Sequence, residues 1–206
     1  MKRIIIIDYG LGNLRSAMRG LERAGAQAQI TSDPAEFEGA DGIVLPGVGA
    51  FKSGMQNMQE KKSALFDSVC EGTPLLGICL GMQMLMTTSE EGQHGEGPVE
   101  GLNILQGSVR RFHLDGTSNK LKIPHMGWNR VEVKRRNPLV KNVDSAYVYF
   151  VHSYYVEPGD YTVATSDYGL TFAAIIASDN VFGTQFHPEK SSAIGLRILR
   201  NFVELC

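Results

Sequence analysis

Hydrophobic and polar positions are arranged in two different ways along this chain. Ile4 to Ile7 form an unbroken β-branched run that stops at Asp8-Tyr9-Gly10. A run without polar alternation predicts a strand covered on both faces, as in a parallel sheet. Leu14, Ala17, Met18 and Leu21 then recur at helical spacing, with Asn13 placed to cap a helix that runs to about Gly25. A strand over 27–31 follows, then a short helix opened by Ser32-Asp33-Pro34. A buried strand over 42–45 is broken by Pro46-Gly47-Val48-Gly49, and a long helix is predicted from about residue 50 to residue 71. A strand over 73–78 and a helix over 80–88 continue the alternation. Strands alternating with helices in this way predict an open, mostly parallel α/β sheet with helices on both faces.

Beyond residue 90 the pattern changes. Residues 92–101 are rich in glycine and acidic side chains and read as an exposed loop. Segments of β-branched and aromatic residues follow at 108–112, 129–133, 147–156, 161–166, 173–177 and 181–185. Turn-forming triplets such as Pro158-Gly159-Asp160 and Ser178-Asp179-Asn180 separate some of them, which predicts hairpins and an added antiparallel portion. A helix over 192–205 closes the pattern. No repeat or linker divides the chain, so its 206 residues are expected to form one domain.

Charge and cysteine content narrow the functional classes. Twenty basic and 22 acidic side chains give a formal net charge of −2, which supplies no electrostatic reason to bind nucleic acid or an anionic membrane. The apolar N-terminal run is too short for a signal-peptide core, and no stretch is long enough to span a bilayer. Three irregularly spaced cysteines, Cys70, Cys79 and Cys206, form neither a disulfide framework nor a zinc ribbon and suit a reducing, cytoplasmic setting.

Candidate chemistry centres on Leu75-Leu76-Gly77-Ile78-Cys79-Leu80-Gly81-Met82-Gln83. A buried strand meets a helix at a cysteine flanked on each side, two residues away, by glycine. This is the nucleophile-elbow pattern with cysteine in place of serine. Glycines are required because the chain turns too sharply for a Cβ. The helix N-terminus favours a thiolate, and the Leu80 N–H is placed where an oxyanion forms. An arbitrary cysteine is more often a buried small hydrophobe, and Cys70 and Cys206, without comparable surroundings, are taken as structural or incidental.

A cysteine nucleophile needs a base. Among five histidines, His187 stands out because His187-Pro188-Glu189 ends a strand-like segment. On an extended backbone positions i and i+2 share a side, so Glu189 is expected to orient His187. His152 is the second choice, and a substrate-shaping role suits it better. His94, His113 and His125 default to structural or solvated roles. No metal site is expected, since no paired cysteines and no helical His-Glu-x-x-His occur.

Pro46-Gly47-Val48-Gly49 follows a strand and can offer backbone N–H groups of Val48 or Gly49 as a second oxyanion donor beside Leu80. The Gly10/Gly12 turn does not read as a dinucleotide fingerprint, because Arg15 stands where the third glycine is needed.

Taken together, the Cys79 elbow and the later His187-Pro188-Glu189 resemble the class I, triad-type glutamine amidotransferases. Four further segments are similar to the glutaminase subunits of imidazole glycerol phosphate synthases within that class. They are residues 8–13 (DYGLGN), 45–51 (LPGVGAF), 124–129 (PHMGWN) and 152–154 (HSY). The resemblance spans nearly the whole chain and implies a flavodoxin-like sheet carrying a single glutaminase domain. It implies a Cys79, His187, Glu189 triad, an oxyanion site at Val48, Gly49 and Leu80, and no cofactor. It implies glutamine contacts from Gly47, Gln83, His152, Ser153 and Tyr154. It also implies a heterodimer in histidine biosynthesis with a cyclase subunit docked over Asn13, Met126 and Trp128. A core role for Trp128 stays open on the sequence alone, as does a free-standing γ-glutamyl hydrolase or cysteine peptidase, a glutaminase of another synthase, or a binding module without activity.

Overall fold

A computed structural model describes residues 1–92, 97–113 and 121–206. The predicted loop over 92–101 and His94 lie partly or wholly outside the described residues.

The N-terminal half is built as the apolar pattern requires. Strand β1 (Arg3–Ile7) is followed by α1 (Leu14–Ala24), β2 (Gln27–Thr31), a 3₁₀ turn (Pro34–Phe37), β3 (Gly42–Gly47), α2 (Phe51–Asn57), α3 (Lys62–Cys70), β4 (Leu75–Cys79) and α4 (Leu80–Met84). The second half supplies β5 (Met86–Ser89), β6 (Val99–Glu100), β7 (Leu105–Arg111), β8 (His125–Val133), β9 (Ser145–His152), β10 (Tyr154–Val156), β11 (Thr162–Asp167), β12 (Thr171–Ser178), β13 (Val181–Thr184) and α5 (Ser192–Leu205). All strands join one sheet whose main path runs β2-β1-β3-β4-β13-β12-β10-β7-β5-β6, with β11, β8 and β9 branching from β12. From β2 to β13 every pairing on this path is parallel, and an antiparallel region begins at β12.

Strand β1 shows why the run needs two covering layers. Ile4 and Ile6 point into a cluster with Leu21 of α1 and Ile198, Leu199 and Phe202 of α5. Ile5 and Ile7 point the other way, into a cluster with Phe51 and Met55 of α2 and Leu65 of α3. All four isoleucines are fully buried. Asp33 caps the 3₁₀ turn by accepting from the Ala35 N–H at 2.9 Å, and Gly25 ends α1 in the left-handed region at φ 100°. Asn13 holds the N-cap position of α1, but its side chain makes no capping bond.

Several boundaries differ from the sequence reading, each for a local reason. The long helix over 50–71 is two helices, α2 ending at Asn57 and α3 starting at Lys62, with a 3₁₀ turn (Gln59–Lys61) between them. The helix expected over 80–88 ends at Met84, and residues 86–89 pair as β5 with β6 and β7. β3 continues through Pro46 and Gly47, which pair with Ile78 and Cys79. Its pairing with β1 stops at Val44, so the missing Pro46 N–H costs no ladder bond on that side. The segment over 147–156 is two strands, because the chain leaves β8 at His152 and joins β7 and β12 from Tyr154.

Phe202 is fully buried, with an edge-to-face contact to Phe182 at 6.3 Å, and anchors α5 on the sheet far from any polar cleft. Phe202→Ala is expected to cost roughly 3–5 kcal/mol. Thermal unfolding followed by calorimetry should show the midpoint falling by about 10 °C.

Candidate active site

Three neighbouring parallel strands end together, and their register decides which side chains meet. Gly47 of β3 lies opposite Cys79 of β4, and Thr184 of β13 lies opposite Ile78. Val48 and Gly49 therefore follow β3 beside Cys79 and Leu80, while Gln185 and His187 follow β13 on the other side.

Cys79 takes the strained conformation φ 55°, ψ −108°, which a non-glycine residue adopts only where its surroundings impose it. The flanking glycines do so by close packing. A Cβ on Gly77 would lie 2.7 Å from the Met82 nitrogen, and one on Gly81 would run into the Leu45 carbonyl oxygen. A Cβ on Gly47 would meet the Tyr9 hydroxyl and, at 2.8 Å, Leu80 Cβ. As the first residue of α4, Leu80 has a backbone N–H with no intrahelical acceptor.

His187 and Glu189 meet, although not across an extended strand as the sequence suggested. β13 ends at Thr184, and His187 is the N-cap of a 3₁₀ turn (Pro188–Lys190) that folds Glu189 back onto it. The His187 Nδ1 to Glu189 Oε1 distance is 2.9 Å, with both side chains almost wholly shielded from solvent. The His187 N–H donates to the Tyr149 carbonyl at 3.1 Å, and Ser191 Oγ donates to the His187 carbonyl at 2.6 Å, which fixes the ring's position. Burial opposes a charged imidazole, but the neighbouring Cys79 and the Glu189 carboxylate outweigh it, so His187 is held well above its ordinary value of 6.5. Its Nε2 is buried and has no hydrogen-bond partner besides the neighbouring Cys79 thiol.

Cys79 opens onto a cleft of about 300 Å³ lined by Val48, Gly49, Leu80, Gln83, Glu91 and residues 151–154, with Pro124 at its edge. Gly47 lies behind that wall, packed on Leu80. Gln83 is buried, and its amide donates to the Tyr154 carbonyl at 2.9 Å and to Gln185 Oε1 at 3.0 Å. His152 is buried and pushed down to about 3, chiefly by desolvation, and both its ring nitrogens are engaged, by the Tyr154 carbonyl and by His125, so neither faces Cys79 as a base.

Three cleft-side residues were missed by the sequence reading. Gln185 is fully buried and donates from Nε2 to Cys79 Sγ at 3.7 Å. Its signal was a polar side chain two positions before His187, in an otherwise apolar strand end. Glu91 accepts from the Phe51 N–H at 3.0 Å, and burial raises its carboxyl above the usual range. Tyr9 presents a buried hydroxyl without a partner, and burial together with nearby Cys79 raises its phenol. Neither carried a spacing that marked it.

Elsewhere, Met126, Trp128 and Tyr147 are 62%, 52% and 63% exposed on one face of the β8–β9 hairpin, so Trp128 is not a core aromatic. Cys70 is exposed at the end of α3, and Cys206 donates to the Phe202 carbonyl at 3.2 Å. His113 is exposed, whereas His125 is buried against His152. Among the described residues no cluster of His, Cys, Asp and Glu is suited to hold a metal ion, and no helix is long and apolar enough to cross a membrane.

Comparison with known proteins places the chain in a family. The family model for class-I glutamine amidotransferases matches residues 5–206. The imidazole glycerol phosphate synthase subunit HisH of Halobacterium salinarum is 57% identical, over 98% of this chain and 93% of its own length. The same subunit of Haloarcula marismortui is 55% identical, over 98% and 95%. Among solved structures, PurLQS from Thermotoga maritima superposes with a TM-score of 0.74 at 19% identity, covering 99% of both chains, and shares the fold. With one family model spanning almost all of its length and HisH subunits matching it at more than half of their aligned positions, the chain belongs to the class-I glutamine amidotransferases, in the branch of the HisH subunits.

Proposed function

We propose that residues 1–206 form a single cytoplasmic glutaminase domain that hydrolyses glutamine through a Cys79 thioester. The ammonia passes to the cyclase subunit of an imidazole glycerol phosphate synthase, in histidine biosynthesis. The observation that carries this reading is a strained cysteine opening onto a small cleft with a Glu189-held histidine buried beside it. The cleft's volume suits a single amino acid better than an extended peptide, which favours a glutaminase over a peptidase.

In the proposed reaction His187 takes the Cys79 proton and the sulfur attacks the side-chain amide carbon of glutamine. The carbonyl oxygen becomes an oxyanion, received by the Leu80 N–H and an N–H of Val48 or Gly49. When the tetrahedral adduct collapses, the carbon–nitrogen bond breaks and His187 delivers its proton to the departing ammonia. His187 then deprotonates a water that attacks the thioester. The carbon–sulfur bond breaks, glutamate leaves, and the proton returns to Cys79. Glu189 orients the imidazole and stabilises its cation throughout. Gln83, His152, Ser153 and Tyr154 form the wall opposite the oxyanion loop, and Gly47 supports Leu80 from behind. Among the described residues Glu91 is the one carboxylate lining the cleft, and it is suited to the substrate's α-ammonium group.

Met126, Trp128 and Tyr147 present an exposed apolar face, and the Asn13 side chain is free of a capping role. These features support a heterodimer in which the cyclase covers the β8–β9 hairpin. Glutamine hydrolysed without an acceptor wastes ammonia, so turnover is expected to depend on the partner. Gly49, at φ 110° with no atom closer than 3.8 Å to a built Cβ, leaves the oxyanion loop room to change.

Glutamate formation from glutamine should rise at least about tenfold when the cyclase and its nucleotide ligand are added, and Cys79→Ala should abolish it. Equal turnover with and without the cyclase would remove partner control while leaving the Cys79 chemistry in place. Trp128→Ala is expected to weaken cyclase binding by about 2 kcal/mol, measured by titration calorimetry. Glu189→Gln withdraws support from a histidine held above its ordinary value, so the cation should be lost at lower pH than in the parent protein. The alkaline limb of the kcat/KM profile should therefore move down by about 1–3 pH units, and an unmoved limb would exclude Glu189 as the group supporting His187.

A further inference from the structure

His125 defaulted to a structural role in the sequence, and nothing in the reaction above uses it. It nevertheless begins a line of hydrogen bonds that ends at the nucleophile. His125 Nδ1 lies 2.9 Å from His152 Nε2, and His152 Nδ1 lies 2.7 Å from the Tyr154 carbonyl oxygen. Asn129 Nδ2 lies 3.2 Å from His125 Nε2.

Proton positions along this line are forced at both ends. A carbonyl oxygen only accepts, so His152 carries its proton on Nδ1. At the other end, Asn129 Oδ1 accepts from the Arg130 N–H at 2.8 Å and Nδ2 donates to the Asp167 carbonyl at 2.8 Å, which fixes the amide's orientation. Asn129 therefore donates to His125 Nε2, and His125 must carry its proton on Nδ1 and donate to His152 Nε2. Both rings are neutral in this arrangement, because an added proton on either would set two donors face to face. Burial works the same way, lowering His125 to about 4. The His125 ring cannot rotate freely, being stacked between Tyr168 and Phe150 at 4.0 and 4.8 Å.

The far end of the line is the cleft. The Tyr154 carbonyl receives His152 Nδ1–H and also the Gln83 amide; Gln83 donates to Gln185, and Gln185 donates to Cys79 Sγ. We propose that His125 is a positioning residue for the glutaminase reaction: by donating to His152 it locks the tautomer that anchors the Tyr154 carbonyl, and through Gln83 and Gln185 it sets the polar surroundings of the Cys79 sulfur. The proposal rests on the glutaminase reading. It adds that strand β8, whose outward side bears Met126 and Trp128, is tied through its inward side to the nucleophile.

Two variants and one spectrum test this. Asparagine places an amide near the position of the imidazole Nδ1 and can keep the donor, whereas phenylalanine fills the stacked slot and cannot. With the cyclase present, His125→Phe is expected to lower kcat roughly 10- to 100-fold with KM changed less than about twofold. His125→Asn should recover most of that loss. Alkylation of Cys79 by iodoacetamide in the isolated chain should slow in His125→Phe and recover in His125→Asn, independently of glutamine and partner. Long-range ¹H–¹⁵N spectra of the parent protein at neutral pH should show His152 and His125 both as Nδ1–H tautomers. Parent kcat retained in His125→Phe, or an Nε2–H tautomer of either ring in the parent spectrum, overturns the proposal even if that variant fails to fold. No glutamine hydrolysis by the parent with its cyclase defeats the glutaminase reading instead, and the spectrum still decides the hydrogen-bond line.

Discussion

The parallel alignment of β3, β4 and β13 is the constraint on which the site depends. Each strand is buried on both faces, so its register cannot slip without exposing apolar side chains or burying polar ones. With Gly47 opposite Cys79 and Thr184 opposite Ile78, the three chain exits lie side by side. The Val48–Gly49 loop, Cys79 and the His187 turn thus become neighbours although about 140 residues separate the first from the last. The strained backbone at Cys79 survives because Gly81 lies directly on the Leu45 carbonyl and Gly77 lies on Met82, so relaxing the turn would break the packing of α4 on β3 and β4.

Burial then divides the titratable groups. Glu189 is covered by α1 at Gly20, where an added Cβ would lie 3.2 Å from Glu189 Cβ, and a sequestered carboxylate acts strongly on His187. The same desolvation acts on His152 and His125 with no carboxylate to oppose it, and both stay neutral. One buried histidine is suited to move a proton and two are suited to hold one still. The difference lies in the partners at hydrogen-bond distance.

How much of this was legible in the sequence follows from what each signal measures. The Ile4–Ile7 run and the Gly-x-Cys-x-Gly turn report local physics, two-sided burial and a turn without room for Cβ, and both hold in the structure. The His187/Glu189 pair was found for a partly mistaken reason: the residues meet through a 3₁₀ turn held by Ser191, a bond invisible in the spacing. The helix over 50–71 failed because a continuous helical composition does not reveal the 3₁₀ turn at Gln59–Lys61 that divides it. Gln185, Glu91 and Tyr9 went unseen because their importance comes from long-range placement. Gln185 matters only once β13 lies beside β4, and Glu91 only once β5 has brought it under Phe51.

A polar line through a core is costly wherever one member is left without a partner, which favours lines that are complete. From Asn129 to Cys79 every donor along the line has an acceptor, and each amide and imidazole has one orientation compatible with its neighbours. Such a line transmits position because no member can turn without leaving another unsatisfied. The unpartnered atoms at the site are of another kind. His187 Nε2, Glu189 Oε2 and the Tyr9 hydroxyl are buried without a hydrogen-bond partner other than the neighbouring Cys79 thiol. Atoms left open beside a nucleophile are those the substrate and its leaving group can engage, so their resting cost is recovered only when the reaction proceeds. The fold thus keeps a hydrogen-bonded line from Asn129 through Gln185 to Cys79, and leaves open His187 Nε2, Glu189 Oε2 and the Tyr9 hydroxyl on the other side. In the proposed reaction the first holds the sulfur, and the second is where the substrate is received.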